Sequence, residues 1–396
     1  MNEQTQDRLH GLDAVRSLAL MGGVVLHAAM AFLPGTQLWV VVDTSRSTTL
    51  SVAFFVIHMA RMTVFFVLAG YFGRLVLHRV GVVGFVRNRA LRIAVPLLLA
   101  WPLVYGAILV VMGAASPGGG RTIPLITAAT FPLTHLWFLY LLLWLYAGVL
   151  LLRGAIALVD RGGRFRGAIG ASMRMLIKPW APMVLAAPVV WVLYRQPYWF
   201  MWFGVPTPDT GLLPNRVALL TYGLALGVGW LLQRASDDLL ARLQSWWGLY
   251  LGLALASTIG CLATTSLTPL LAPAPFGAAK LRFAAMYAVG IWSWTLALIG
   301  MGLRFLNAPS PRRRYLADAS YWVYLAHLPL VMALQLVIRD WPLPWPIKFA
   351  LLAGTTMTLL LLSYHWLVRP TWVGALLNGR RHPRIRPTSP TPGTLP

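Results

Sequence analysis

The chain is poor in charge and has almost no sulfur for chemistry. Only 11% of its 396 residues are charged, where a soluble domain carries roughly 25%; an ordinary soluble surface is excluded. Acids are scarcer still, with 10 Asp+Glu against 33 Lys+Arg and a formal net charge of +23. No carboxylate lies in the middle of an apolar run, which argues against a carboxylate proton relay or a cation pathway. The single cysteine, Cys261, sits inside an apolar run. One thiol excludes an intramolecular disulfide, a thiolate zinc site and iron–sulfur ligation, and in that setting it reads as a small buried hydrophobe. The sequence also shows no soluble domain, no internal repeat and none of the alternating ten-residue segments of an outer-membrane barrel.

What is present is apolar. Hydrophobic residues make up 58% of the chain, the mean hydropathy is +0.68, and 18 Trp suit interfacial belts. Ten runs are long enough to be read as spans: 12–33, 51–73, 92–112, 135–152, 179–194, 216–232, 246–267, 281–302, 318–338 and 347–368. The predicted fold class is all-α, a polytopic integral membrane protein with about ten transmembrane helices. Three regions are expected: a cytoplasmic segment 1–11, a ten-helix membrane domain 12–368, and a basic, Pro-rich, disordered tail 369–396. The first run carries an Ala-x-Ala at Ala29–Ala31, but Glu3, Asp7 and Asp13 offset Arg8 and Arg16 before it. It therefore reads as an uncleaved helix and not a signal peptide.

Charge sets the orientation. With a cytoplasmic N-terminus, the inner side collects 23 Lys+Arg and the outer side eight, leaving Arg16 and Arg61 inside helices. That asymmetry places both termini in the cytoplasm. The positive charge lies in short loops, so it points to anionic lipid and anionic ligands and not to nucleic acid. Among the inner segments, 74–91 reads as a loop feeding a third helix that starts near Arg92.

The candidate chemistry begins on the first helix. Arg16 and His27 are eleven residues apart, which puts them within about 20° on one helical face and about 16 Å apart along it. His27 falls in the outer half of the membrane at the depth of His58, with Arg61 three residues deeper and His135 nearby. His27, His58, Arg61 and His135 form the first candidate cluster. Ser320, Tyr324 and His327, at spacings of four and three, form a second polar stripe. Arg87, Arg89 and Arg92 make the inner end basic. Arg89 and Arg92 can share a face where their guanidinium groups fork to phosphate, aided by a helix N-terminus. Asp13 is expected to pair with Arg16, and Asp318 to cap the ninth helix. Three histidines could ligate a metal by type, but no pair has a zinc spacing and no carboxylate accompanies them; no metal site is expected.

Four segments together resemble the acyltransferase family 3 membrane proteins, and within them the branch that decorates periplasmic glucans with succinyl groups. They are Arg16-x10-His27 in LDAVRSLA, FFVLAGYF (Phe65 to Phe72), FVRNRALRIAVP (Phe85 to Pro96) and LADASYWVYLAHLPL (Leu316 to Leu330). The likeness covers about residues 10–370. Ala69 stands where the family often has Ser, and the appended soluble module of some members is absent. The resemblance implies transfer of an acetyl or succinyl group from a cytoplasmic acyl-CoA to a hydroxyl of an extracytoplasmic or membrane-linked glycan. It implies acyl-CoA as co-substrate with no permanently bound cofactor, a glycan or glycolipid acceptor, membrane lipids, and envelope-biosynthesis partner proteins. His27 would be the general base, Arg16 would orient the donor, and Arg61 would stabilise the oxyanion, with His58 beside them. Arg87, Arg89 and Arg92 would hold the nucleotide end, and His135, Ser320, Tyr324 and His327 would meet the substrate. The reading from a different class is a glycan or lipid transporter with the same polar stripes lining a path.

Overall fold

A computed structural model describes residues 10–35, 39–116, 125–160, 177–234 and 236–379, with isolated positions 162, 167 and 175. The segment 1–9 and the tail from 380 onward lie outside the described residues, as do Arg121, Arg161, Arg164, Arg166 and Arg174 of the charge count.

The described chain is helical throughout. The elements are α1 (His10–Met30), α2 (Thr48–Arg89), α3 (Val95–Ala115), α4 (Trp137–Val159), α5 (Ala181–Arg195), α6 (Arg216–Arg234), α7 (Ser236–Thr265), α8 (Ala278–Phe305), α9 (Pro311–Ile338), α10 (Trp345–Ser363) and the short α11 (Trp372–Asn378). Eight stretches are long and apolar enough to cross a membrane; one of them, Thr48–Ala115, is 68 residues long and holds both α2 and α3. The shorter apolar α5 completes the ten-helix pattern read from hydropathy. The chain is an all-α, multi-pass membrane protein. Among the described residues no strand forms, and the outer segments meet in one isolated bridge between Pro132 and Thr210. Trp199 and Trp202 are buried under that outer cover.

The boundary between the second and third spans differs from the expected loop 74–91. Helix continues through it except at Gly81, whose φ of 68° and ψ of −177° leave the helical region. Beyond Gly81 the helix resumes, passes through a π-helical turn at Ala90–Ala94 and runs on into α3. Tyr146 on α4 shows that the chain doubles back there. Its hydroxyl donates to the Ala69 carbonyl at 2.8 Å, while its ring lies 5.3 Å from the Phe85 ring and 5.3 Å from the Arg89 guanidinium. A straight helix would separate Ala69 from Phe85 by about 24 Å. The consequence for Arg89 and Arg92 is that no helix N-terminus is available beside them. The Ala90 N–H is taken by the Val86 and Arg87 carbonyls, and the Val95 N–H by Ala90.

The ninth helix is also longer than its apolar run. It starts at Pro311, and the Ser310 side chain caps it by accepting from the Arg313 N–H. Asp318 is therefore two turns inside α9 and not at its N-cap. The polar residues of this first stretch hid it from a hydropathy reading.

Packing is tightest where small residues let backbones meet. A Cβ on Gly70 of α2 would collide with the Leu226 carbonyl, and one on Gly229 of α6 with the Val67 carbonyl; this is the close helix approach that small residues permit in membranes. Around that contact Phe66 stacks on Tyr222, 4.7 Å between centroids. Cys261 is fully buried.

Gly81 is open to substitution sterically, since nothing lies within 4 Å of a Cβ there. Its backbone is not, because a β-branched residue pays about 1–3 kcal/mol in that region. Gly81→Val is expected to lower the thermal midpoint of the detergent-purified protein, and an unchanged midpoint would show that the hairpin does not depend on this glycine.

Candidate active site

The polar residues of the membrane interior gather in two joined regions. The inner one is a cavity of about 1250 Å³, larger than the roughly 300–1,000 Å³ of most small-molecule pockets. Asp13 and Arg16 of α1, Arg79 and Arg89 of α2, Arg92, and Asp318 and Ser320 of α9 reach it. Its far end is aromatic, formed by Phe65, Phe138 and Tyr324. Leu377 and Asn378 of α11 also line it. Arg92 packs against the next residue, Gly379, where any side chain would collide with its guanidinium.

The expected Arg16–Asp13 pair is present at 3.2 Å, and the Arg16 guanidinium also lies over the Phe72 ring at 5.4 Å. Arg89 is held differently. It lies 5.1 Å from the Phe85 centroid and 5.3 Å from that of Tyr146, donates to Asn88, and leaves its buried Nε without a partner. The backbone carbonyl of Arg92 receives the Tyr321 hydroxyl at 2.7 Å. Arg87, expected beside these two, is exposed and does not line the cavity. It is two residues from Arg89, and two residues on a helix turn a side chain to another face.

Above the aromatic end lies the second region, a line of three imidazoles. The His27 and His327 ring centroids are 5.2 Å apart, and His327 is 4.9 Å from His135. Tyr324 joins this line to the cavity. Its hydroxyl donates to the His135 carbonyl at 2.8 Å. Its own carbonyl takes the His135 Nε2 at 3.0 Å and the His327 Nδ1 at 2.7 Å. Pro329, one turn on, supplies no N–H to the ladder of α9, which loosens the helix at this level. Ser320 faces the cavity, but its hydroxyl is committed to the Ala317 carbonyl.

Arg61 enters the line from α2. Its guanidinium lies on the α1 backbone at Gly23, where a Cβ would collide with Nη1 and sit 3.7 Å from His327 Nε2. No carboxylate pairs with Arg61 among the described residues, and its buried Nε has no partner. The same holds for His27 Nδ1, His135 Nδ1 and His327 Nε2. Four buried, unpartnered polar atoms in one place are unusual, because each costs about 1–3 kcal/mol until something binds it. His58 stands apart from the imidazole line. It stacks on Phe54 at 5.5 Å, which stacks on Trp202 at 5.6 Å. Three histidines thus come together, but the third is His327 in place of the expected His58. Among the described residues no group of three metal-ligating side chains is placed to hold an ion.

Several partners of this site carry no local sequence signal. The Trp39 ring stacks on His27 at 5.7 Å, and its Nε1 donates to Gln335. Gln335 in turn donates to the His27 carbonyl at 2.9 Å. The segment after Trp39 is tied down by a buried ion pair. Lys348 Nζ is 2.9 Å from Asp43 and donates to the Arg339 carbonyl at 2.8 Å. Lys348 had counted only among the eight outer-side Lys+Arg, and Asp43 carried no signal of its own. The Gly22–Gly23 pair one turn before His27 was a readable hint that something packs closely against α1.

The family model described as an acyltransferase domain, of the acyltransferase 3 type, matches residues 9–365. The chain belongs to this acyltransferase family. Among curated proteins, the glucans biosynthesis proteins C of Escherichia coli strain K12 and of Shigella dysenteriae serotype 1 are each 30% identical to it over 148 residues. That stretch covers 36% of this chain and 38% of each relative, so it spans well under half the length of the relatives it matches. No solved structure matches the chain. The family carries both regions of the site, from Arg16 to the Tyr324–His327 segment, within its matched span.

Two expectations follow from the geometry. Gly23→Ala adds one methyl where Arg61 Nη1 lies, and a flexible side-chain end can move away; acyl transfer is expected to fall at least tenfold while the thermal midpoint stays within a few degrees. Breaking the buried pair with Lys348→Met strands Asp43 and is expected to cost about 3–5 kcal/mol, most of it recovered in the Asp43→Leu, Lys348→Met double variant. Thermal unfolding of the three proteins checks this.

Proposed function

We propose that the protein moves an acyl group from a cytoplasmic acyl-CoA to a hydroxyl of an extracytoplasmic or membrane-linked glycan, from a bacterial inner membrane. The single observation that carries the reading is the continuity of the two regions. An arginine-lined cavity opens at the inner end and stops at Tyr324, and the same tyrosine is hydrogen-bonded to the histidines beyond it.

In this reading the nucleotide and pyrophosphate of the donor lie among Arg89, Arg92 and Arg79. Guanidinium groups suit phosphate because they offer forked donors. Aromatic faces hold Arg89 in place of a carboxylate, and its buried Nε has no partner, so it keeps a donor and an unneutralised charge for an anion. Arg16, already paired with Asp13, orients the donor lower in the same cavity. The narrow pantetheine arm passes Phe65, Phe138 and Tyr324, and the thioester reaches the imidazole line. There Arg61 receives the negative charge that develops on the attacked carbonyl oxygen. The acceptor hydroxyl gives its proton to a neutral imidazole, the role for which His27 was the first candidate. The glycan acceptor is supported by the name of the relatives, glucans biosynthesis protein C, and by the position of His27 toward the C-terminal end of α1.

The reading is tested with protein in lipid nanodiscs, radiolabelled acetyl-CoA or succinyl-CoA, and isolated periplasmic glucans. Acylated glucan is expected by mass spectrometry. Arg89→Ala with Arg92→Ala is expected to raise the donor KM at least tenfold with a smaller change in kcat, because these residues bind a part of the donor remote from the reaction. Movement of unmodified glycan across a vesicle membrane, with no label transferred from either donor, would favour the transport reading.

A further inference from the structure

The expected base is His27, yet the hydrogen bonds around the three imidazoles prepare a different one. A backbone carbonyl can only accept, so a ring nitrogen facing it must carry a proton. His327 Nδ1 faces the Tyr324 carbonyl at 2.7 Å. The neutral ring therefore holds its proton on Nδ1 and presents a bare lone pair at Nε2. That nitrogen is buried without a partner, in a residue 2% exposed. It lies 3.7 Å from where a Gly23 Cβ would sit, a place that Arg61 Nη1 fills. Base and anion-stabilising cation thus converge on one stretch of the α1 backbone.

The other two rings lack one of these properties. His27 has an unpartnered Nδ1 and a Trp39 ring stacked on its face, and no acceptor among the described residues fixes which nitrogen carries its proton. His135 has a fixed tautomer, with Nε2 donating to the Tyr324 carbonyl. But its Nδ1, though also buried and unpartnered, is not among the atoms nearest the Gly23 Cβ position, where Arg61 and His327 lie, and its carbonyl is taken by the Tyr324 hydroxyl.

Resting on the acyl-transfer reading, we infer that His327 is the general base, that the Tyr324 carbonyl orients it, and that His27 holds the acceptor hydroxyl across from it. The arrangement has the logic of a nucleophile–base–orienter series with a main-chain carbonyl as the third member. The acceptor O–H gives its proton to His327 Nε2 as its oxygen bonds to the thioester carbon, and the carbonyl becomes an oxyanion beside Arg61. The oxyanion then collapses, the carbon–sulfur bond breaks, and the leaving thiolate takes the proton from His327. The imidazole returns neutral, with the ester and free thiol as products.

The test separates the base from a brace. His327→Asn keeps a donor at the Nδ1 position for the Tyr324 carbonyl and removes only the Nε2 lone pair. It is expected to keep the wild-type thermal midpoint and to lose at least a hundredfold in kcat, within the range of a general base. His327→Ala is expected to lose as much and to recover at least tenfold with added imidazole. His27→Ala is expected to raise the acceptor KM and to show no imidazole rescue. Retention of more than a tenth of kcat by His327→Asn would reduce His327 to a structural role. Rescue confined to His27→Ala would return the base to His27. If the wild-type protein transfers no label at all, the acyl-transfer reading fails, and the assignment of the base fails with it.

Discussion

Tyr324 and His135 exchange hydrogen bonds in both directions, and this exchange is the joint on which the interior turns. It ties the start of α4 to the middle of α9 through a side chain and a backbone group at each end. In hydrocarbon such groups have no water to fall back on, so a reciprocal pair fixes two helices more firmly than either bond would at a surface. Everything polar is arranged about it. The cavity ends on the Tyr324 ring, the His327 tautomer is set by the Tyr324 carbonyl, and the Phe138 ring beside it closes the space toward α2.

The membrane class and the number of helices were legible because hydropathy is a local property. Each span announces itself in about twenty residues; among the described residues eight stretches are long and apolar enough to cross, one of them holding both α2 and α3, beside the shorter apolar α5. The errors fall where local signals conflict with the path of the chain. The hairpin at Gly81 looked like a loop because arginines and a histidine interrupt the apolar run, yet all but one residue kept helical backbone. Asp318 looked like a cap because hydropathy starts there, while the helix had begun at Pro311 under Ser310. In both cases a polar stretch of helix extends past the apolar core.

The site was legible in its parts and not in its joins. Arg16, His27, Arg61, His135 and His327 all stood out as ionisable groups within apolar runs, which are costly and so demand a reason. Their grouping needed depth and rotation together. Depth arithmetic placed His58 with His27, but rotation turns His58 onto the Phe54–Trp202 stack. His327 was assigned to a separate stripe, and only the packing of α9 on α1 brings its ring to His27. The Asp43–Lys348 pair joins residues 305 positions apart. No periodicity within either segment encodes that contact.

Two sets of cations in one membrane protein require two explanations. The inner arginines lie where orientation alone would put positive charge, so their number says little. Their manner of support says more: Arg16 is neutralised by Asp13, whereas Arg89 rests on aromatic faces that leave its charge unspent. Arg61 cannot be explained by orientation, because it is deep in α2 among histidines that offer it no negative charge. A guanidinium with no carboxylate beside it and a buried, unpartnered Nε is costly for a fold to keep. Packing against Gly23 does not repay that cost; an anion would. If the anion existed in the resting protein it would quench the site. An oxyanion that appears only as the acceptor attacks would meet Arg61 at the moment of reaction and leave it unpaired otherwise, so the unfavourable resting state becomes differential stabilisation of the transition state.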